Sequence, residues 1–250
     1  MNSPVLEVVA LRKLFGGVKA LDGIDLDVRE GEILGIVGPN GAGKTALINT
    51  ITGFYRASEG MIRFLGRDIT AEPLHSIGRL GIARTFQNIR LFRRMTVLEN
   101  VMVANKRYAA RPVSAYFSWG NRSAAIAEAM DFIELMGLAD KADQRAGSLP
   151  YGEARRLEIA RALAGKPSLL LLDEPAAGMN ETETARLVED IRTARPRVKA
   201  IALIEHDMSL IRALSDRIVA MDYGRKIAEG APDEVLSHPD VKRAYLGEDA

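Results

Sequence analysis

The residues of this 250-residue chain with the clearest chemistry form a glycine-rich run that ends in a lysine and a threonine. The run fits the pattern G-x-x-x-x-G-K-[ST] of phosphate-binding loops. It consists of Gly38, Pro39, Asn40, Gly41, Ala42, Gly43, Lys44 and Thr45. The glycines let the backbone approach phosphate oxygens that a Cβ atom would exclude. Lys44 supplies an ammonium group for the β- and γ-phosphates and Thr45 a hydroxyl for Mg²⁺, so the run predicts a polyphosphate site.

The segments on either side of the loop predict a strand before it and a helix after it, which would hold the loop in position. The apolar run 33–37 precedes the loop and is typical of a buried strand. Residues 46–52 contain no glycine or proline before Gly53, which predicts a helix with a glycine stop. A strand that passes into a helix in this way directs backbone N–H groups and the positive end of the helix dipole at one point. We therefore add Ala46, the first residue after the loop, to the predicted site.

Composition limits the class of protein. Lysine and arginine number 34 against 33 acidic residues, so the net charge of +1 gives no bulk attraction to nucleic acid. Cysteine is absent, which excludes a disulfide framework and a thiol nucleophile and suits a reducing compartment. We expect no signal peptide, and no apolar run approaches the roughly 20 residues that cross a bilayer. Work at a membrane would require docking on an embedded partner.

Apolar runs alternate with helix-prone segments through most of the chain. Residues 5–15 and 18–28 predict antiparallel strands, and further strands are predicted at 60–66, 81–87, 168–173, 199–205 and 216–221. Helices are predicted at 152–164, 182–194 and 208–214, with a last hairpin at 223–224 and two short helices at the end. Helix-prone segments at 96–106 and 122–136, joined by an irregular stretch at 111–120, predict a helical insertion. Together these patterns predict an α/β fold with a mainly parallel sheet covered on both faces.

Two acidic residues, Asp173 and Glu174, directly follow the apolar run 169–172. Such a strand can deliver the aspartate to Mg²⁺, and the next carboxylate can act on water as a general base. The alternative is a solvated strand end without a ligand. A GTPase is disfavoured because residues 105–108 begin like the guanine motif N-K-x-D but carry Tyr108 in place of its aspartate.

The order of these motifs resembles the ATP-binding cassette (ABC) family over essentially the whole chain. The resemblance implies ATP and Mg²⁺ as cofactors, with Lys44 at the phosphates, Glu174 as the general base, and Thr45, Gln87 and Asp173 around Mg²⁺. Gln87 matches the glutamine of the family's Q-loop, and His206 matches the switch histidine that contacts the γ-phosphate. The family's signature, usually L-S-G-G-Q, corresponds here to Leu149, Pro150, Tyr151, Gly152 and Glu153.

Within the family the chain resembles the LivG type, an ATP-binding subunit of branched-chain amino acid importers. Residues 85–101, the tyrosine-containing signature, and residues 174–180 and 244–249 carry this resemblance. Residues 13–18 fit it too, which implies that Phe15 stacks on adenine with Val18 beside it. The alternative for Phe15 is a core aromatic residue at a strand end.

The chain departs from the general family pattern in two places. Pro150 stands where the signature has a serine, and it offers neither a hydroxyl nor an N–H to a phosphate. Asn180 stands where the D-loop usually has aspartate, although Asn180 and Glu183 also fit a helix capping pair. In the family the signature caps the ATP of the partner subunit. We therefore expect asymmetry, in which ATP on this chain is capped well and ATP on the partner is capped more weakly.

The resemblance also implies an architecture and a set of partners. Residues 1–250 form one ABC ATPase domain with a P-loop NTPase (RecA-like) core at 1–87 and 166–250, an antiparallel β subdomain, and a helical subdomain with the signature at 88–165. The implied partners are a second, LivF-like ATPase subunit, with a homodimer as the alternative, and transmembrane permease subunits. A periplasmic binding protein acts indirectly, and nucleic acid is not a partner. The implied location is peripheral, on the cytoplasmic face of the inner membrane.

Basic residues between Arg79 and Arg111 outnumber the single acidic Glu99, which predicts a docking region for the permease near anionic lipid. The alternative there is an ordinary solvated face. The implied function is ATP hydrolysis that energises branched-chain amino acid import. Alternatives are urea or amide import, lipid or lipopolysaccharide export, a soluble ABC ATPase that acts on ribosomes or DNA, and a regulatory nucleotide-binding module without hydrolysis.

Overall fold

The structure, a computed structural model, describes residues 4–105 and 119–246. Within these ranges ten strands form two sheets. The strands are β1 (Leu6–Phe15), β2 (Val18–Val28), β3 (Ile33–Val37), β4 (Glu59–Phe64), β5 (Arg67–Asp68), β6 (Ile82–Arg84), β7 (Leu169–Asp173), β8 (Ala200–Ile204), β9 (Arg217–Asp222) and β10 (Arg225–Gly230).

The smaller sheet is antiparallel, with the strand order β2-β1-β4-β5. β1 and β2 form the predicted hairpin, whose register runs from Leu6 opposite Val28 to Phe15 opposite Val18. The short strand β5 was not predicted, because two residues are too few to carry a periodic pattern.

The larger sheet has the strand order β10-β9-β3-β8-β7-β6, and it is parallel except for β10. The strand before the glycine-rich loop, β3, lies between β9 and β8. In the shared register Ile204 pairs with Ile36 on one side and with Asp173 on the other. The carboxyl ends of β3, β7 and β8 therefore meet at one edge of the sheet, where open α/β sheets bind their ligands.

Alternate residues of the central strands enter two different apolar clusters. On β7, Leu170 and Leu172 belong to one cluster, whereas Leu169 and Leu171 belong to the other. The second cluster also contains the inner face of the antiparallel sheet, for example Leu11 and its neighbours. Burial on both faces explains why these strands are continuous apolar runs in the sequence.

The helices are α1 (Lys44–Ile51), α2 (Leu74–Leu80), α3 (Val97–Ala104), α4 (Trp119–Leu135), α5 (Tyr151–Ala164), α6 (Glu181–Ala194), α7 (Met208–Leu214), α8 (Pro232–Ser237) and α9 (Pro239–Leu246). The helices α3, α4 and α5 pack on one another. Short 3₁₀ turns lie at Ala139–Lys141, Ala146–Ser148 and Arg195–Arg197. None of the described helices has both the length and the apolar character needed to span a bilayer.

Three sequence predictions need correction. The strand predicted at 81–87 is shorter, because the carbonyl groups of Phe86 and Gln87 accept hydrogen bonds from Arg155 and do not join the sheet. Helix α2 was not predicted. The stretch predicted as irregular at 111–120 lies outside the described residues up to 118, and Trp119 and Gly120 already belong to α4. Residues 106–108, which decided against a GTPase, also lie outside them.

Candidate nucleotide-binding site

The glycine-rich loop takes a shape that only glycine can adopt at its two ends. Gly38 has φ +155°, and a Cβ atom there would lie 2.3 Å from the carbonyl oxygen of Met221. Gly43 has φ +100°, and its Cβ would lie 2.6 Å from the carbonyl oxygen of Ala20. Gly41, with φ +84°, faces open space. The loop is thus fixed against the protein at both ends and free in the middle.

Helix α1 begins at the end of this loop without a side-chain cap. Gly43 occupies the N-cap position, and no side chain there accepts a hydrogen bond from the first turn. The first N–H groups of α1 therefore have the positive end of the helix dipole behind them and face the loop. These N–H groups can donate hydrogen bonds to phosphate oxygens.

Lys44 holds its ammonium group inside the loop. Nζ donates to the carbonyl oxygens of Gly38 at 2.5 Å and Pro39 at 2.9 Å. Burial lowers the pKa of Lys44, and the carboxylates of Glu174 and Asp173 partly offset that effect. The carbonyl groups of Gly38 and Pro39 thus hold the Lys44 ammonium group in the loop, where it is positioned for a polyphosphate.

Gln87, Glu174 and His206 meet at the carboxyl edge of the sheet. Gln87 Nε2 donates to Glu174 Oε2 at 2.6 Å, and His206 Nδ1 lies 3.8 Å from Glu174 Oε1. Glu174 has φ +46°, a left-handed conformation that is strained for a residue with a side chain and is typical of functional sites. The side chain of His206 is 59% exposed and that of Glu174 is 19% exposed. Gln87 and His206, from two other segments of the chain, thus flank the partly exposed carboxylate of Glu174.

Asp173 forms an ion pair that the sequence did not predict. Its Oδ2 accepts a hydrogen bond from Arg84 Nη2 at 2.7 Å, and both side chains are about nine-tenths buried. Arg84 Nη1 also donates to Asn49 Oδ1 at 2.6 Å, which ties the pair to α1. The Arg84 guanidinium is therefore held in the site by Asp173 and Asn49.

The donor set fits a magnesium ion that arrives with a nucleotide. Thr45 and Gln87 are exposed and Asp173 is nearly buried, so the available donors are one carboxylate and two neutral oxygens. Among the described residues no group of three or more His, Cys, Asp or Glu side chains could hold a metal ion alone. Mg²⁺ characteristically binds through one or two carboxylates together with substrate phosphates.

Two sequence profiles match this chain. The profile described as "ABC transporter" matches residues 21–177, which is more than half of the chain. This chain belongs to the ABC transporter family. A second profile, described as "Branched-chain amino acid ATP-binding cassette transporter", matches residues 225–250.

Curated relatives and solved structures agree with this assignment. The ABC protein is 43% identical to the high-affinity branched-chain amino acid transport ATP-binding protein BraF of Pseudomonas aeruginosa, over 99% of this chain and 100% of the relative. It is 42% identical to LivG of Escherichia coli K12 with the same coverage. The crystal structure of the ADP conformation of an ATP-binding cassette matches with a TM-score of 0.86 at 32% identity, covering 99% of this chain and 100% of that one. The predicted fold class and family are confirmed, and the chain is an ABC ATPase whose fold supports ATP binding.

The aromatic residue predicted to stack on adenine lies at the surface of the ABC protein. Phe15 is 43% exposed, so its alternative reading as a core residue is wrong. Its ring packs edge-on against Tyr55 at 5.0 Å between centroids, and Lys13 Nζ lies 4.7 Å from the ring centroid. Val18, beside it, is 67% exposed. An exposed aromatic ring at the end of β1 suits stacking on a purine base.

The signature region is bonded to its own subunit through Tyr151. Its hydroxyl donates to the carbonyl oxygen of Ala177 at 2.7 Å, at the start of the D-loop. Arg155, which is fully buried, donates to that same hydroxyl at 3.2 Å and to the carbonyl oxygens of Phe86 and Gln87 at 2.6 and 2.7 Å. The signature helix, the Q-loop and the D-loop are thus linked within one chain. The sequence analysis missed Arg155, although a charged residue on the buried face of a helix is a signal for it.

The other signature residues lie at the start of α5. Pro150 is its N-cap residue, and the Pro150 side chain accepts no hydrogen bond from the N–H groups of the first turn. Leu149 packs partly into the core, and the Glu153 carboxylate is ion-paired with Lys141. Gly152 lies close to α6, since a Cβ atom there would be 3.0 Å from Glu183 Oε1.

Asn180 caps α6. Its side chain accepts a hydrogen bond from the N–H of Glu183, whose carboxylate accepts one from the N–H of Asn180 in return. The capping interpretation of Asn180 is therefore confirmed, and its D-loop role stays a prediction.

Glu205 is a second functional residue that the sequence analysis missed. It is 1% exposed and accepts hydrogen bonds from the N–H groups of Ala176 at 2.8 Å and His206 at 3.1 Å. Burial raises the pKa of Glu205, against the effect of these hydrogen bonds. Its position fixes the segment after Glu174 to the segment that carries His206. A carboxylate at the end of an apolar strand, directly before a histidine, was the available signal.

Proposed function

We propose that this ABC protein hydrolyses ATP as the energising subunit of an importer for branched-chain amino acids. The observation that carries the assignment is the meeting of Gln87, Glu174 and His206 beside the phosphate-binding loop. The cargo is inferred by similarity. The relatives from P. aeruginosa and E. coli are named for high-affinity branched-chain amino acid transport, and the profile over residues 225–250 carries the same cargo in its description.

Binding of ATP uses the loop and its flanks. The N–H groups at the start of α1 and the Lys44 ammonium orient the β- and γ-phosphates, and Phe15 stacks on the base. Thr45, Gln87 and Asp173 would hold Mg²⁺, which neutralises phosphate charge when it is bound.

Hydrolysis uses the residues at the carboxyl edge of the sheet. Glu174 accepts the proton of the attacking water as a general base. Gln87 restrains the Glu174 carboxylate through its 2.6 Å hydrogen bond, and the exposed His206 contacts the γ-phosphate. This chemistry consists mostly of positioning and electrostatic stabilisation, which the fixed loop and buried Glu205 favour.

A second subunit completes the site. We infer a partner of LivF-like type whose signature covers ATP on this chain, while residues 149–153 and Asn180 face ATP on the partner. Pro150 and the inward hydrogen bond of Tyr151 support weaker capping of the partner's ATP. Glu174→Gln in this chain should therefore reduce turnover of the assembled transporter more than the equivalent change in the partner. Equal losses would contradict the asymmetry.

The permease is assigned to a groove beside the Q-loop. A cavity of about 500 Å³ lies beside the Q-loop, with Phe54, Leu74, Phe86 and Arg90 in its lining. Phe54 is 62% exposed and Leu74 is 48% exposed, so apolar surface is available to an amphipathic cytoplasmic helix. Arg93 and Arg94 are also exposed beside it. Lys106, Arg107 and Arg111, which belong to the predicted basic region, lie outside the described residues.

These features support a peripheral location at the cytoplasmic face of the membrane. We assign residues 88–165 to a helical subdomain that follows the permease and residues 1–87 and 166–250 to the nucleotide-binding core. A binding protein on the other side of the membrane would act through the permease alone.

Affinity purification of the tagged protein from detergent-solubilised membranes of its own cells tests this function. We expect permease subunits and a second ATPase to co-purify, and ATP hydrolysis to rise when the complex receives a leucine-loaded binding protein. Stimulation by a urea- or amide-loaded binding protein would contradict the cargo, and ribosomes or nucleic acid in place of a permease would contradict transport. Changing Arg90, Arg93 and Arg94 to glutamine should release the permease. The matched triple change at Arg192, Arg212 and Arg243, which are exposed on other elements, should not.

A further inference from the structure

A hydrogen bond joins the C-terminal helix α9 to the phosphate-binding loop. The N–H of Gly38, the first residue of the loop, donates to the hydroxyl oxygen of Tyr245 at 2.7 Å, although the two residues are 207 positions apart. Neither the phosphate chemistry nor the hydrolysis described above uses this tyrosine.

Gly38 is a position where the backbone has no room to adjust. The paired register of β3 and β9 ends at Val37 opposite Ala220, one residue before Gly38. The φ of Gly38 is +155°, and its Cα is packed so closely that a Cβ would meet Met221 O at 2.3 Å and Ala42 Cβ at 2.9 Å. The Gly38 N–H therefore needs an acceptor beyond the end of the sheet, and Tyr245 supplies it.

The Tyr245 side chain is partly buried. The residue is 37% exposed, and burial raises the pKa of Tyr245 to about 12. The phenol is therefore neutral at any physiological pH and adds no negative charge next to a phosphate site. It acts as a neutral acceptor that holds the entrance of the loop.

Helix α9 also contacts α8 and β10, and one of its apolar side chains enters the core. Val241 is 3% exposed and belongs to the core cluster that includes the sheet. Between α7 and α9 lies a cavity of about 770 Å³ whose lining includes His206 and Tyr245. Helix α9 thus lines the same cavity as His206, and its Tyr245 hydroxyl accepts a hydrogen bond from the phosphate-binding loop.

We propose that Tyr245 is a positioning residue of the nucleotide site, so that docking of α9 and binding of nucleotide phosphate favour each other. This inference rests on the proposed function, because it requires ATP at the glycine-rich loop. Binding linkage is reciprocal. The hydrogen bond to Gly38 must therefore strengthen nucleotide binding by the same factor by which nucleotide stabilises the docked helix.

The test compares Tyr245→Phe with Tyr223→Phe in the full-length protein. Both changes remove one phenolic hydroxyl, but Tyr223 is 85% exposed. We expect Tyr245→Phe to weaken Mg-ATP binding about fivefold or more, because a buried N–H loses its acceptor. We expect Tyr223→Phe to bind as the unmodified protein does, and the KM for ATP in the assembled transporter to rise in Tyr245→Phe with little change in kcat.

Amide hydrogen exchange supplies a readout that a change in global stability would not imitate. In the unmodified protein, Mg-ATP should slow exchange across Pro239–Leu246, and in Tyr245→Phe this protection should be lost while exchange at Gly38 becomes faster. Equal ATP affinity of Tyr245→Phe and the unmodified protein, or protection of α9 that survives the change, would overturn the inference. Failure of the unmodified protein to bind Mg-ATP would instead overturn the proposed function.

Discussion

The guanidinium of Arg84 lies 2.7 Å from the carboxylate of Asp173, and both side chains are about nine-tenths buried. Asp173 is the residue assigned to Mg²⁺, so its charge is balanced by the protein before any metal arrives. Arg84 also bonds to Asn49 on α1 and lies 5.0 Å from the Phe86 ring centroid, so the pair joins the strand of the Q-loop to the phosphate-binding helix.

Removal of Arg84 should leave a buried, unpaired carboxylate. We expect Arg84→Met to lower the free energy of unfolding by about 3 kcal/mol without nucleotide. Mg-ATP should restore part of that loss, because the metal supplies a positive charge beside Asp173. Urea denaturation with and without Mg-ATP measures both effects.

The exposed pair of Arg63 and Glu7 is the matched control. Their atoms are 3.1 Å apart, but the side chains are 45% and 37% exposed. Arg63→Met should cost under about 1 kcal/mol, and Mg-ATP should not offset that loss specifically. Similar losses in the two variants would show that burial of the Arg84 pair has no energetic consequence.

Glu174→Gln should separate ATP binding from hydrolysis. The amide cannot accept a proton from water, so we expect turnover of the assembled transporter to fall by about 100-fold or more. The affinity for ATP should change by less than about threefold, because Glu174 carries no predicted phosphate contact. Single-turnover hydrolysis and equilibrium nucleotide binding measure the two quantities. Undiminished hydrolysis would remove Glu174 from its assigned role.

The sequence predicted the local structure around the glycine-rich loop, where one short motif determines it. The glycine-rich loop, its strand and its helix form one continuous segment, and the apolar run before Asp173 leaves little choice about where that residue lies. The family resemblance then brought in Gln87 and His206, which come from distant parts of the chain. The structure places these two residues on opposite sides of Glu174.

The sequence did not reveal contacts that depend on tertiary packing. Arg84 resembles any other basic residue near the Q-loop, and only the pairing of β6 with β7 brings it to Asp173. Arg155 and Glu205 are buried charged residues, and each is bonded to backbone groups of distant segments, which carry no sequence signal. Helix α2 was missed for a similar reason, since Ile77 is its one buried side chain and a single apolar contact produces no periodicity.

Tyr151→Phe should affect the assembled transporter and spare the isolated subunit. The change removes the hydrogen bond between the signature helix and the Ala177 carbonyl. We expect a decrease of several fold in transporter ATPase activity, because the signature is less well aligned with the partner's ATP. The affinity of the isolated chain for ATP should stay unchanged, since Tyr151 makes no contact with its own phosphate loop. Weaker ATP binding by the isolated variant would contradict this arrangement.

Asp190 should make stability depend on pH in an unusual direction. Burial raises its pKa to about 6 from the ordinary value of 3.8, despite Arg156 nearby. The folded state therefore binds more protons than the unfolded state between these values, and stability falls as the pH rises through this window. Asp190→Asn should be more stable than the unmodified protein at pH 7.5, by on the order of 1 kcal/mol. The difference in stability between the two proteins should shrink as the pH approaches 4.5, which urea denaturation at several pH values measures. Urea midpoints that differ equally at every pH would contradict this prediction.

The most direct measurement is calorimetric titration of the full-length protein with ATP, with and without Mg²⁺, beside the variant Lys44→Ala. We predict binding that requires the glycine-rich loop, strengthens with Mg²⁺ and falls by about tenfold or more in the variant, because Lys44 provides the ammonium group for the phosphates. Absence of ATP binding, or equal binding by the protein and its Lys44→Ala variant, would contradict the account.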